Sequence, residues 1–181
     1  YNPTTNQWTW MKGPQTAGNI AGNYGTKGVA AATNIPPCRW PYCRWTDNAG
    51  NFWMFGGTGV NNNTDSYNDM WKFDPLTNNW TWVSGTNLTN NAPAFPTKCV
   101  PSTTAYPQAR YENSACWKDK CDNFWLFSGQ WTSGTGGSNK NDVWCYKPLT
   151  NEWIFVGGNV TPSAGTIGVP LASNFPGDLY G

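Results

Sequence analysis

Histidine is missing from this 181-residue chain, and charge is sparse: Asp, Glu, Lys and Arg together make up 12%, with a formal net charge of +1. Without imidazole, and with no Cys-x-x-Cys pair, a metal centre has little to be built from. So little charge leaves no basic footprint for nucleic acid and no polybasic anchor for a membrane surface. No apolar run approaches the ~20 residues that span a bilayer. Strong helix formers are scarce, and no window carries a 3.6-residue apolar period, which excludes a helical architecture. A Gly-x-Ser-x-Gly elbow, a Walker loop and a paired-carboxylate cleft are absent too. The carboxylates, among them Asp65, Asp69, Asp74, Asp142 and Glu152, are tied to turns. Asp69 and Asp142 each follow an Asn, an order suited to an Asx turn. The run 61–69 holds oxygen ligands but lacks EF-hand order. The expectation is a protein that is not an enzyme and uses no metal or cofactor.

What fills the space left by charge is Asn, Thr, Gly and Pro, together with 13 Trp. That is an all-β composition, and it is organised by repetition. Tyr1-Asn-Pro-Thr-Thr-Asn-Gln-Trp-Thr-Trp10 returns as Phe73-Asp-Pro-Leu-Thr-Asn-Asn-Trp-Thr-Trp82 and as Tyr146-Lys-Pro-Leu-Thr-Asn-Glu-Trp-Ile-Phe155, at steps of 72 and 73 positions. Asn51-Phe-Trp-Met-Phe-Gly-Gly57 returns as Asn123-Phe-Trp-Leu-Phe-Ser-Gly129, and Asn68-Asp-Met-Trp71 as Asn141-Asp-Val-Trp144. Three markers in one register define an internal repeat. The phase divides the chain into 1–11, the last strand of a preceding repeat; 12–84 and 85–157, two full repeats; and 158–181, a loop leading into the next. A segment of a longer tandem array is expected.

Each full repeat reads as four strands joined as a meander. In the first they fall near 39–46, 51–56, 68–73 and 79–84; in the second near 110–117, 122–128, 141–147 and 152–157. Residues 7–11 read as a further strand with Trp8 and Trp10 on one face. Strand 51–56 has large apolar groups on both faces and is expected to be buried on both sides. Gly56-Gly57 ends it where the chain turns or meets another backbone closely. A long loop, 12–37 or 85–108, opens each repeat, and loops of that length are functional or packed against something.

Six cysteines, an even number, point to an oxidising compartment. Cys116 and Cys121 flank a short turn between paired strands, a natural cross-strand bridge. Cys38 and Cys43 bracket a small local loop, which leaves Cys99 for Cys145, although six cysteines admit many other connectivities. Four N-glycosylation patterns begin at Asn62, Asn79, Asn87 and Asn159. The loop positions Asn87 and Asn159 are the favoured carriers, while Asn79 begins a strand beside Trp80. Trp53, Trp71, Trp80, Trp125, Trp144 and Trp153 recur at fixed strand positions and are assigned to the core. Trp40, Trp45, Trp117 and Trp131 fit the repeat less tightly and are the candidate surface aromatic contacts.

Four short strands per repeat, a glycine pair after the second and tryptophans in the third and fourth resemble the kelch repeat. The matching residues are Gly56-Gly57 and Ser128-Gly129, Asn68–Phe73 and Asn141–Trp144, Trp80 and Trp153, and Arg39 and Arg110 on the first strands. The likeness covers roughly two thirds of the chain. It implies β-propeller blades like those of the galactose oxidase central domain. Two features depart from it. The repeat exceeds the ~50 residues of a kelch unit by the length of one loop, and Ser128 stands where a glycine is expected, relaxing that turn. Two blades cannot close a ring of ~4–8. The copper of the related oxidases is held partly by histidines, which this chain lacks, so the resemblance implies a non-catalytic member.

The expected function is therefore a non-enzymatic extracellular structural or adhesive repeat protein. Its form would be a glycosylated, disulfide-stapled filament or surface fibre, secreted or at the cell surface, partnered by its own repeats or subunits head to tail. The alternatives are a carbohydrate- or protein-binding propeller of lectin type, or part of a secreted propeller enzyme whose catalytic residues lie elsewhere.

Overall fold

The computed structural model describes residues 1–16, 18, 20–40, 42–59, 65–132, 137–158, 166–171 and 174. Among these the chain is all-β: no helix occurs, and so none is long and apolar enough to cross a membrane. Eleven strands follow one another: β1 Arg39–Trp40, β2 Cys43–Thr46, β3 Phe52–Phe55, β4 Thr58–Gly59, β5 Met70–Asp74, β6 Asn79–Ser84, β7 Pro101–Ser102, β8 Tyr111–Lys118, β9 Phe124–Thr132, β10 Gly137–Lys147 and β11 Glu152–Gly157.

Two antiparallel sheets carry the fold. The first has the order β2-β3-β5-β6 and the second β7-β11-β10-β9-β8. A small pair, β1 with β4, stands apart from both. The four-strand meander expected in each repeat is thus present. Its first member in the first sheet is shorter than expected, since Arg39–Trp40 leaves that sheet to pair with Thr58–Gly59.

Two local devices fix the turns. The Asn of the repeated stretch takes a left-handed conformation each time, with φ of 54° at Asn6, 56° at Asn78 and 55° at Asn151, a region Asn tolerates better than most residues. Between the first two strands, Asp47 accepts from the Asn51 and Ala49 amides and from the Trp53 indole at 2.8 Å. Asp119 does the same for Cys121, Asn123 and Trp125.

Residues 8–11 form no strand. An isolated bridge, Asn2 with Gln7, closes the preceding turn, and Trp8 is 83% exposed. Strand 79–84, with the same local sequence, is held by β5 alongside it; among the described residues no strand lies beside 8–11 to complete their hydrogen bonds.

The long loops pack back on their own sheets. Pro101–Ser102 adds a fifth strand beside β11, a short strand that the sequence reading missed. In the first sheet, Ala31 bridges Trp80, and the Gly28 amide donates to the Trp82 carbonyl. Tyr24 from the first loop sits 5.0 Å from the Trp71 ring, and Phe95 from the second lies 6.0 Å from Trp144.

Strand alternation sorts the side chains into faces. In the first sheet Cys43, Trp45, Trp53, Phe55 and Met70 look toward the second sheet. Arg44, Met54, Phe52, Phe73 and Trp80 look the other way. The second sheet answers with Phe124, Leu126, Trp144, Tyr146, Trp153 and Phe155, so one aromatic core spans both sheets. Fully burying a tryptophan removes about 150–250 Å² from water, a gross gain of about 4–6 kcal/mol before entropy is counted.

Candidate functional site

The junction between the sheets is the most elaborated part of the molecule. Trp45 stacks on Phe124 at 5.3 Å and 7°, and its indole N–H donates to the Trp117 carbonyl at 3.0 Å. Trp53 meets Phe124 edge-on at 5.3 Å, and Phe55 meets Trp153 at 5.2 Å. Polar contacts close the rim. Trp153 Nε1 donates to Ser84 Oγ at 3.2 Å, Lys118 Nζ donates to Asn48 Oδ1 at 2.7 Å, and Asp122 accepts from the Asn48 amide at 3.1 Å. The Gly57 amide donates to the Arg110 carbonyl at 2.8 Å. The glycine at 56 is required here, because a Cβ on it would stand 2.6 Å from that same carbonyl oxygen.

Each sheet is anchored by a buried ion pair. Arg39 makes a two-point contact with Asp69, including Nη2 to Oδ2 at 2.7 Å. Arg110 holds Asp142 at 2.7 and 2.8 Å. The carboxylates also accept the indole N–H two residues on, Trp71 at 2.8 Å and Trp144 at 2.7 Å. Asp69 and Asp142 therefore serve as buried anion partners, not in the Asx turns expected from their sequence position. Burial on its own would raise the Asp142 carboxyl, but the Arg110 charge and its hydrogen bonds hold it below the usual carboxylate range. Both arginines lie about thirty residues from their partners, and no short motif announces such a pair.

The outer surfaces bear the counterparts of the junction. On the face of the first sheet turned away from the second, Phe52 is 51% exposed, while Phe124, one repeat on, is fully buried. On the outward face of the second sheet, Trp117 is 45% exposed, while Trp45, one repeat earlier, is 6% exposed. Tyr42, Arg44, Thr46, Phe52, Met54 and Trp80 help to line an open groove of about 410 Å³ on the first of these faces.

Of the candidate surface tryptophans, Trp40 and Trp117 are exposed. Trp131 is half-buried, with Lys140 Nζ 5.1 Å from its ring centre. Trp45 is buried, contrary to expectation, because it faces the second sheet. Of the six tryptophans assigned to the core, Trp53, Trp71, Trp144 and Trp153 are buried, whereas Trp80 and Trp125 are half-buried on the two outer faces.

The six cysteines are free thiols in the structure, so none of the expected bridges is present. Cys116 and Cys121 do not converge: Cys121 lies exposed in the turn, and Cys116 faces the first sheet opposite Leu126. There it packs against the aromatic cluster to which Cys43 also belongs. Cys38 is half-buried, Cys99 exposed, and Cys145 buried on β10, where burial lifts its thiol to about 11. Among the acceptor asparagines, Asn87 is exposed and Asn79 half-buried, within 3.5 Å of Lys12 Nζ. Asn62 and Asn159 lie outside the described residues, as does the 61–64 part of the run 61–69, whereas its carboxylates Asp65 and Asp69 are described. No group of three or more Cys, Asp or Glu able to hold a metal occurs among the described residues. No family model matches the chain, and no curated protein matches its sequence.

Proposed function

We propose that this chain is a non-enzymatic structural repeat protein of the extracellular space, built from kelch-like blades that stack head to tail. The carrying observation is the pair of outer faces. Phe52, Phe73 and Trp80 on one side stand where Phe124, Tyr146 and Trp153 stand at the junction. Trp117, Trp125 and Phe127 on the other side stand where Trp45, Trp53 and Phe55 stand. A surface that carries one half of an interface at one end and the complementary half at the other joins heterologously. Such contacts propagate into a filament unless the rotation closes a ring. Repeat units of this kind draw their stability from neighbours on both sides. The even number of cysteines, the exposed acceptor Asn87 and the low charge support a glycosylated, secreted or cell-surface setting.

Light scattering on the 181-residue chain tests the reading. Concentration-dependent growth into linear assemblies is the expected outcome. A cooperatively folding monomer that stays monomeric at high concentration would overturn it.

A further inference from the structure

Cys43 and Cys116 are brought together by strand parity across the junction. Cys43 pairs with Phe55 and points with it toward the second sheet; Cys116 pairs with Leu126 and points back toward the first. Both side chains join the aromatic cluster between the sheets, Cys43 within it and Cys116 packed against it. Cys43 is 3% exposed, whereas Cys116 is half-buried and the more accessible of the two sulfurs. The corresponding positions on the two outer faces are Ala115 and Arg44, which carry no sulfur. Chemistry between two sulfurs at this place is therefore confined to the inner junction.

We infer that Cys43 and Cys116 are a redox-active pair, oxidised by a hydroperoxide to a disulfide that ties the two sheets together. The Cys116 thiolate attacks one peroxide oxygen. The O–O bond breaks, hydroxide leaves and takes up a proton as water, and Cys116 becomes a sulfenic acid. The Cys43 sulfur, giving its proton to the departing oxygen, then attacks the Cys116 sulfur. The S–O bond breaks, and a second water leaves. Each sulfur gives up one electron, and the two reduce the peroxide. The neighbouring Cys43 thiol, with the Arg44 amide and guanidinium, outweighs burial and lowers the Cys116 thiol to about 7. The neighbouring Cys116 and burial hold Cys43 protonated. Cys116, the more accessible sulfur, is accordingly the attacking thiolate, and the enclosed Cys43 the resolving thiol.

The full chain, reduced and freed of reductant, is treated with hydrogen peroxide, blocked with iodoacetamide and digested with trypsin without reduction. The expected product is peptide 40–44 joined to peptide 111–118, lighter by two hydrogens than the sum of its parts. Recovery of the two peptides separately, each alkylated, would overturn the inference. So would peptide 111–118 joined to 121–140, which carries Cys121. In Cys43→Ser, the Cys116 sulfenic acid should persist and be trapped by dimedone, while Cys121→Ser should leave the 40–44 to 111–118 product unchanged. Should Cys43→Ser fail to fold, the wild-type digest decides alone.

Discussion

Trp45 and Trp117 stand one repeat apart, second from the end of matching strands, yet the first is 6% exposed and the second 45%. Phe52 and Phe124 show the reverse, 51% and 0%. The residues are the same; the neighbour differs. Devices that act within one sheet are equal in both repeats: the Arg–Asp pair, the Asp–indole contact and the left-handed Asn all recur. Devices that need a second sheet are satisfied once and left open twice. The comparison separates what a repeat does for itself from what it does for the next one.

The largest expected effects belong to the first class and should be equal. Arg39→Ala and Arg110→Ala each strand a buried carboxylate, with both partners almost wholly enclosed. Each should cost about 3–5 kcal/mol in urea-induced unfolding. A clear inequality between the two would mean that the sheets are not independent in this respect. Tryptophan truncation should be unequal: Trp45→Ala should cost about 3–5 kcal/mol, and Trp117→Ala under conditions that keep the chain monomeric about 1 kcal/mol or less.

A finer version of the same contrast lies at Gly56 and Ser128. The backbone is alike, with φ of 70° and 65°, so the serine does not relax the turn as expected; its Oγ donates to the Lys140 carbonyl at 2.6 Å. At Gly56, however, the second sheet presses the Arg110 carbonyl against the position a Cβ would take. Gly56→Ser should therefore destabilise by about 1–3 kcal/mol through overpacking. Ser128→Gly should stay within about 0.5 kcal/mol, as relief of a left-handed side chain offsets one lost hydrogen bond.

The acid response should be smallest near neutrality and grow only below it. At Asp119 burial pulls the carboxyl upward, but the bonds from Trp125, Asn123 and the turn amides prevail and bring it to about 2. Asp47 and Asp142 are lowered as well. A carboxyl depressed in the folded state stabilises fully above its unfolded value of about 4, and that contribution is lost as pH falls through the folded value. The urea midpoint should hold steady from pH 7 to about 5 and fall between about pH 4 and 2. Asp119→Asn should flatten part of that fall; an unchanged profile would remove Asp119 from the account.

The all-β character, the four-strand order and most core tryptophans were legible because each follows from local chemistry or from alternation along a strand. What was not legible depends on partners far along the chain. Trp45 reads as a surface residue until Phe124 is placed on it. Cys116 reads as a hairpin partner of Cys121 until its strand parity turns it toward Cys43. Arg39 and Asp69 carry no signal of their contact because thirty residues and two turns lie between them. Residues 8–11 carry the signature of a strand, but a strand exists only when a neighbour completes its hydrogen bonds.

The central claim is that the two outer faces are halves of the same junction. Phe52→Asp spoils one face and Trp117→Asp the other, and neither touches the inner contact. Light scattering on each variant alone and on their equimolar mixture decides the matter. Each variant still pairs its one intact face with nothing in its own population, so each should remain monomeric, and the mixture should form a heterodimer that grows no further. Wild-type growth persisting in both single variants, or a mixture that stays monomeric while the wild type assembles, would contradict it.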